Sequence, residues 1–294
     1  MQEIRSILVV LEPEDTQGLA LKRARLIANA TQSELHLLVC DKLHDHSAFL
    51  DEIAEELRVD GYTVTARQDW QESSHQTIIA AQQAEGCGLV IKQHLPDNPL
   101  KKALLTPDDW KLMRFCPCPV LLVKTDRPWS GGKVLAAVDV GSDDPEHRDL
   151  HAGIVCHAYE LAHLAKGELH VLSAHPAPVL SAADPTFQLR ETIAARYREA
   201  CQRFQDEYGL SNRQLHVAEG PADILIPQLA LQLDVGVTVI GSVARTGLSG
   251  VLIGNTAEVV LDTLESDVLV VKPDDICEHL EEQLLQAEKR GQTR

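Results

Sequence analysis

Val123-Lys124 and Val271-Lys272 stand 148 residues apart (272 − 124 = 148), and so do Ile91 and Val239. Around these anchors one order of strand and helix patterns runs twice, so the chain must fold as two similar α/β units. In the first pass, Ile7–Leu11 is an apolar run that ends at Glu12-Pro13. A helical stretch over 16–30 follows, with Leu19, Ala20, Ala24 and Ile27 on one face and Lys22, Arg23 and Arg25 largely off it. Then come a strand over Glu34–Cys40, a helix striped by Phe49, Ile53, Ala54 and Leu57, a strand over Tyr62–Ala66 and a helix over 74–85. Leu89–Ile91 is a fourth strand. Thr106-Pro-Asp-Asp-Trp110 opens a helix with Thr as N-cap and Pro at its first position, and Val120–Val123 is a fifth strand.

Residues 126–132, with Pro128, Gly131 and Gly132, read as a linker, and the order then returns. Val134–Val138 runs to Asp139, and 147–166 is helical. Glu168-Leu-His-Val-Leu echoes Glu34-Leu-His-Leu-Leu. Ile193, Tyr197, Ala200 and Phe204 share a helical face, and Leu215–Val217 is a short strand. Pro221–Leu233 is a helix that Pro227 should kink. The second pass closes with strands at 237–240 and 268–271 around a glycine loop and a helix from 256. The expected division is 1–126, 132–272 and a charged terminal helix over 273–294. In that helix early acids and late bases suit the dipole, and Ile276, Leu280 and Leu284 form a narrow packing stripe.

The loop of the second unit carries the chemistry. Val237–Ile240 ends at Gly241, further glycines follow at 247 and 250, and Gly254-Asn255-Thr256-Ala257-Glu258 opens a helix. Asn255 suits an N-cap, with Glu258 completing a capping box. Strand, glycine loop and helix N-terminus together can turn amides toward a phosphate chain, or the glycines can serve a plain βα crossover. The loop resembles the nucleotide signature of the universal stress protein family: Gly, two residues, Gly, nine residues, Gly, then Ser or Thr. Gly241 and Gly254 match its first and third glycines, while Ala244 and Asn255 stand where a glycine and a Ser or Thr belong. The likeness runs to about residue 272 and is nearest the tandem, E-type members, whose pattern the Pro107-Asp-Asp-Trp-Lys-Leu112 and Cys-Pro stretches also resemble.

The resemblance implies two tandem, doubly wound, mostly parallel five-stranded sheets of order 3-2-1-4-5, in the adenine nucleotide alpha hydrolase-like class. Their terminal strands, near 120–123 and 268–271, would face each other as in family dimers. It implies a site at the strand-order reversal of the second unit, where open α/β sheets bind ligands. There Asp139 would contact adenosine, or else make a local turn bond. The strand end near Ala174 would offer backbone groups to the base. Gly241, Ser242, Ala244, Gly254, Asn255 and Thr256 would surround ribose and phosphates. Arg245 would either neutralise phosphate or lie solvated. In the first unit Glu12, Gln93 and Thr106 replace Asp139, Gly241 and Gly254, and Pro96, Pro99 and Pro107 remove amides, so that unit is expected to have lost nucleotide binding.

Net charge is −17, from 27 basic and 44 acidic residues, which argues against nucleic acid or an anionic membrane as main partner. No apolar run is long enough to span a membrane. Seven cysteines without a framework suggest reduced thiols, and Met1 leads so soon into Ile7–Leu11 that no signal peptide is expected, so the expected location is cytoplasmic. Among 13 histidines, His147/His151 and His44/His46 each lack a third ligand in sequence and read as solvated surface groups, and no metal site is expected beyond Mg accompanying a nucleotide. Without a Walker lysine, hydrolysis would be weak at most and no catalytic residue is assigned. The functional expectation is an adenine-nucleotide (ATP or AMP) sensor of the stress response, pairing its two units within one chain, with a homodimer and a regulatory protein partner left open. The alternatives are a binding module for an amphipathic or acyl-containing ligand, and a slow ATPase.

Overall fold

The computed structural model describes residues 4–15, 17–94, 107–141, 145–175, 186–242 and 255–291. Its strands are β1 (Ser6–Leu11), β2 (Glu34–Cys40), β3 (Val64–Asp69), β4 (Leu89–Gln93), β5 (Val120–Val123), β6 (Lys133–Val138), β7 (Glu168–His175), β8 (Leu215–Glu219), β9 (Val235–Gly241) and β10 (Asp267–Val271). The helices are α1 (Leu19–Thr31), α2 (Ser47–Val59), α3 (Ser74–Glu85), α4 (Pro107–Phe115), α5 (Pro145–Leu164), α6 (Thr186–Tyr208), α7 (Ala222–Leu233), α8 (Asn255–Thr263) and α9 (Asp274–Gly291). Helix α7 runs on through Pro227. The inner strands are continuous Val/Ile/Leu runs because helices cover both faces of a parallel sheet.

The strands form one sheet of ten, in the order β3-β2-β1-β4-β5-β10-β9-β6-β7-β8. Read inward from each edge, each half has the order 3-2-1-4-5 expected from the resemblance. All pairings are parallel except the central one, where β5 and β10 run antiparallel with Leu122 opposite Val268 and Val120 opposite Val270. The terminal strands therefore do more than face each other: they hydrogen-bond and fuse the halves into a single sheet. Two apolar cores cover its faces. One is built on α1, α2, α5 and α6 (Ile27, Leu57, Leu161, Phe204), and the other on α3, α4, α7 and α8 (Ile78, Leu112, Ile226, Leu261). Both run across the seam. All seven cysteines are free, with the buried Cys116 and Cys118 sulfurs 3.6 Å apart. Helix α9 docks Ile276 and Leu280 against Phe115 of the first half, as its stripe suggests.

The seam has a polar lock. Asp267, fully buried at the start of β10, accepts hydrogen bonds at Oδ2 from Arg23 Nε (2.8 Å) and Trp129 Nε1 (2.8 Å). Its Oδ1 accepts from the amides of Lys124 (2.8 Å) and Thr125 (3.0 Å). Arg23 also donates to the carbonyls of Thr125 and Arg127 and stacks on the Trp129 ring, 4.7 Å from its centroid. One sequence reading is corrected here. Arg23 does not lie off the buried face of α1; its stem follows the core and its head is paired inside. Residues 126–132 connect β5 to β6 as a packed segment, in which Trp129 is buried and the Gly131 amide bonds to the Ala165 carbonyl at 2.7 Å.

The two lysines of the sequence repeat cross the seam in opposite directions. Lys124, leaving β5, donates to the Leu261 and Leu264 carbonyls at the end of α8. Lys272, leaving β10, donates to the Cys116 carbonyl at the end of α4, at 2.8 Å. Cys116 and Leu264 are themselves 148 residues apart (264 − 116 = 148). Each half thus supplies a cation to the negative end of the other half's helix. Replacing Asp267 by Ala strands a buried guanidinium, an indole N–H and two amides. The expected loss is about 3–5 kcal/mol of stability in denaturant unfolding, with both halves melting in one transition.

Candidate functional site

A parallel sheet of this order opens a crevice at the carboxyl ends of the strands where the order reverses: β1 and β4 in the first half, β6 and β9 in the second. The two crevices are filled differently. In the first half Asp109, fully buried on α4, pairs through Oδ1 with Lys92 Nζ (3.0 Å) and through Oδ2 with His94 Nδ1 (3.0 Å). Gln93 Oε1 accepts the Leu19 amide at 2.9 Å. Burial works to raise the Asp109 carboxyl, but the His94 and Lys92 bonds outweigh it and hold it at about 2. Burial pushes the Glu12 carboxyl up, against the pull of Lys92. The protein's own charges occupy this crevice.

At the corresponding positions of the second half, Ile240, Gly241, Ser242 and Ala257 stand for Lys92, Gln93, His94 and Asp109 (each 148 further on). None of these four side chains can form an ion pair. Ser242 is buried, its amide donating to the Val271 carbonyl at 2.8 Å, while its hydroxyl makes no hydrogen bond. An unpartnered buried hydroxyl is costly unless a polar group comes to meet it.

Asp139 lies just past β6. Its Oδ1 accepts the Gly141 amide (3.1 Å) and the Tyr197 hydroxyl (3.2 Å), so the local turn bond considered from sequence is present. The Tyr197 ring reaches it across Gly141, where a Cβ would come within 2.2 Å of the ring, and lies 4.8 Å from the His175 ring. Burial, reinforced by the Asp139 charge, pushes the Tyr197 phenol up to about 12. Ala174 is half-buried near the end of β7, paired in register with Ala218. Gly241 has a packing reason of its own: a Cβ there would meet Leu150 Cδ2 at 2.6 Å and Ile154 Cδ1 at 2.9 Å. Ala244, Arg245 and Gly254 lie outside the described residues. Asn255 and Thr256 are the first residues of α8. Asp139, Ala174, Gly241 and Ser242 are therefore gathered at one end of the sheet, on neighbouring strands.

The sequence reading missed three groups at this crevice. His151 is no solvated surface histidine: it is buried, and its Nε2 accepts the Asp139 amide at 3.1 Å, which fixes that nitrogen as unprotonated. Tyr197 and His175 were legible only as a helical-stripe residue and a strand end. On the other half, His44 and His46 do have a third neighbour, because both rings turn back onto Asp41.

The universal stress protein family model matches residues 132–272. Universal stress protein E of Escherichia coli K12 is 34% identical over 240 residues, covering 79% of this chain and 75% of its own length. The corresponding protein of Photorhabdus laumondii is 28% identical over 304 residues, covering 93% and 96%. Among solved structures, a functionally unknown protein from Pseudomonas aeruginosa PAO1 is 70% identical, with a TM-score of 0.91 over 97% of this chain and 98% of the other. A universal stress protein from Archaeoglobus fulgidus, 16% identical, has a TM-score of 0.63 over 92% and 99%, a likeness of fold alone.

Two outcomes are expected. Asp109, held below its ordinary 3.8, contributes stability that is complete above that value and is lost as pH falls through about 2. Asp109→Asn removes this acid-range slope and costs about 3–5 kcal/mol at neutral pH by leaving Lys92 unpaired, as urea unfolding across a pH series would read. Asp139→Asn lowers the Tyr197 phenol from about 12 toward its ordinary value, visible in an ultraviolet titration.

Proposed function

From the premise that this chain belongs to the universal stress protein family, and so has a stress-response role, we propose that its second half binds an adenine nucleotide such as ATP and works as a sensor. The observation that carries this reading is the contrast between the crevices. One is closed by Lys92, Asp109 and His94; the other presents an unpartnered, buried Ser242 hydroxyl at the mouth of the glycine loop. In this reading Ser242 donates to a phosphate or ribose oxygen. Asp139 takes the ribose or base, with Tyr197 and His151 holding its carboxylate and its amide. The Ala174 strand end faces the base, and the loop with Ala244, Arg245, Gly254, Asn255 and Thr256 wraps the phosphates. Magnesium would come with the nucleotide and screen its charge. The chain then divides into residues 1–126 as a plugged structural unit, 132–272 as the binder and 273–294 as a packing helix. Binding would order the loop and present a surface to a regulatory protein in the cytoplasm.

A second reading is favoured by a cavity of about 240 Å³ between α5 and α6, whose lining includes Arg148, His151, Arg203, Phe204, Glu207 and Tyr208. Beside its apolar floor the two exposed guanidinium groups outnumber the single exposed carboxylate of Glu207, which suits an amphipathic anion. Among the described residues no helix is long and apolar enough to cross a membrane.

Calorimetry separates the readings. ATP should bind the purified protein, and Ser242→Val should weaken it by about tenfold, the worth of one good hydrogen bond. Lys92→Met combined with Asp109→Leu should leave binding unchanged. No heat at millimolar ATP, with an amphipathic anion found by mass spectrometry in the purified protein, would overturn the nucleotide reading in favour of the second.

A further inference from the structure

The first half, with its crevice plugged, carries another cluster at the carboxyl end of β2. Asp41 directly follows that strand, and a short turn brings His44 and His46 back over it before α2 begins. Asp41 Oδ2 lies 2.8 Å from His46 Nε2 and 3.1 Å from His44 Nδ1, and all three atoms lie within 4.8 Å of one another. Two imidazole nitrogens and one carboxylate oxygen are the donor set that zinc and its neighbours in the transition series prefer.

The spacing fits. For bonds of about 2.1 Å, ligand atoms on a tetrahedron stand roughly 3.4 Å apart. The two edges, 2.8 and 3.1 Å, are shorter than this by about 0.6 and 0.3 Å, as befits hydrogen bonds in the metal's place, and small ring rotations would open them. The turn is also held in advance. From β3, Gln68 Oε1 accepts the His46 amide at 2.7 Å, while its Nε2 donates to the Asp41 carbonyl (2.9 Å) and the His44 carbonyl (2.6 Å). Asp41 Oδ1 is occupied by the Leu43 amide at 2.7 Å, which aims Oδ2 at the rings. The neighbouring cation, Lys42, is drawn onto the Trp70 ring, 5.4 Å from its centroid. The neighbouring Asp45 is engaged with Ser47.

We propose that Asp41, His44 and His46 form an open, three-ligand site for a divalent metal ion of the zinc class, its turn positioned by Gln68. The His44 side chain is 72% exposed, those of His46 and Asp41 20% and 24%, so the ion would enter from solvent and keep a water in its fourth position. Binding displaces any proton the rings share with the carboxylate, so zinc uptake releases protons and weakens as pH falls. The net charge of −17 favours a cation generally; the fixed trio localises it.

The test uses the full-length protein stripped with a chelator and titrated with zinc chloride by calorimetry. One equivalent should disappear, or weaken more than about 100-fold, in each of Asp41→Asn, His44→Gln and His46→Gln. Gln68→Ala, which touches no ligand atom, should weaken the same equivalent by about tenfold. Cobalt at this site should give visible d–d bands without thiolate charge transfer, and those bands should vanish in the three ligand variants. Unfolding midpoints of the stripped variants should match the wild type. Should His46→Gln fail to fold, His44→Gln carries the test through its exposed side chain. Equal zinc stoichiometry and affinity in wild type and ligand variants, no zinc uptake by the wild type, or a cobalt spectrum governed by thiolates would overturn the proposal.

Discussion

Asp267 is the point on which the two halves of this molecule agree. A carboxylate taken wholly out of water is tolerable only if its lone pairs are met and its charge is balanced. Here a guanidinium from the first helix, an indole from the connecting segment and two amides that follow β5 all converge on it. Burial pushes this carboxyl up, and the guanidinium and amides oppose that push. Because the donors come from three separate stretches of chain, the lock forms only when β5 and β10 are in register. The Coulombic gain is largely offset by desolvation; what the lock adds is a heavy penalty for any other register. Apart from Asp267 the seam strands are short and apolar, and a run of valines and leucines has little of its own to forbid a slip.

Around that lock the pseudo-symmetry is functional in the mechanical sense. Lys124 and Lys272 each end a strand in one half and satisfy carbonyls at a helix end in the other. Neither half can meet its own helix end alone, so duplication has made the halves interdependent. The symmetry fails where it would be pointless to keep it. Asp267 corresponds to Pro119 (267 − 148 = 119), because one carboxylate can serve the single point where the connecting segment enters.

The element order was legible because it rests on hydrophobic periodicity and on the 148-residue repeat, whereas the strand reversal and the facing of the terminal strands came from the family resemblance. Arg23 was misread because a helical wheel assigns a charge to solvent; only the partner, 244 residues away, makes burial affordable. Trp129 was lost among Pro and Gly residues that look like a hinge. His151 falls one helical turn from His147 and looked like half of a surface pair, but its nitrogen is spent on the Asp139 amide. Asp41 was passed over because His44 and His46 were read as solvated, whereas the turn after β2 folds both back over it. For Arg23 and His151 the deciding contact is made by a side chain turned against its helix's apparent exposed face, and Trp129 and Asp41 lie in irregular segments that have no period to read.

The two crevices show what divergence of a duplicated sheet can do. In the first half Lys92 stands near the end of β4 and Asp109 on α4, and neither is tolerable without the other in a dry site. Once paired they close the crevice and rigidify the joint between β4 and α4. The second half has small and apolar residues at the same places, and the buried Ser242 hydroxyl at the end of β9 has nothing to bond. A sheet already locked through Asp267 can carry one plugged half as scaffold while the other half bears the cost of an unsatisfied polar group. The closed ion pairs of one crevice and the unpartnered Ser242 hydroxyl of the other are the physical reason the proposed ligand is assigned to one side of the pseudo-twofold axis.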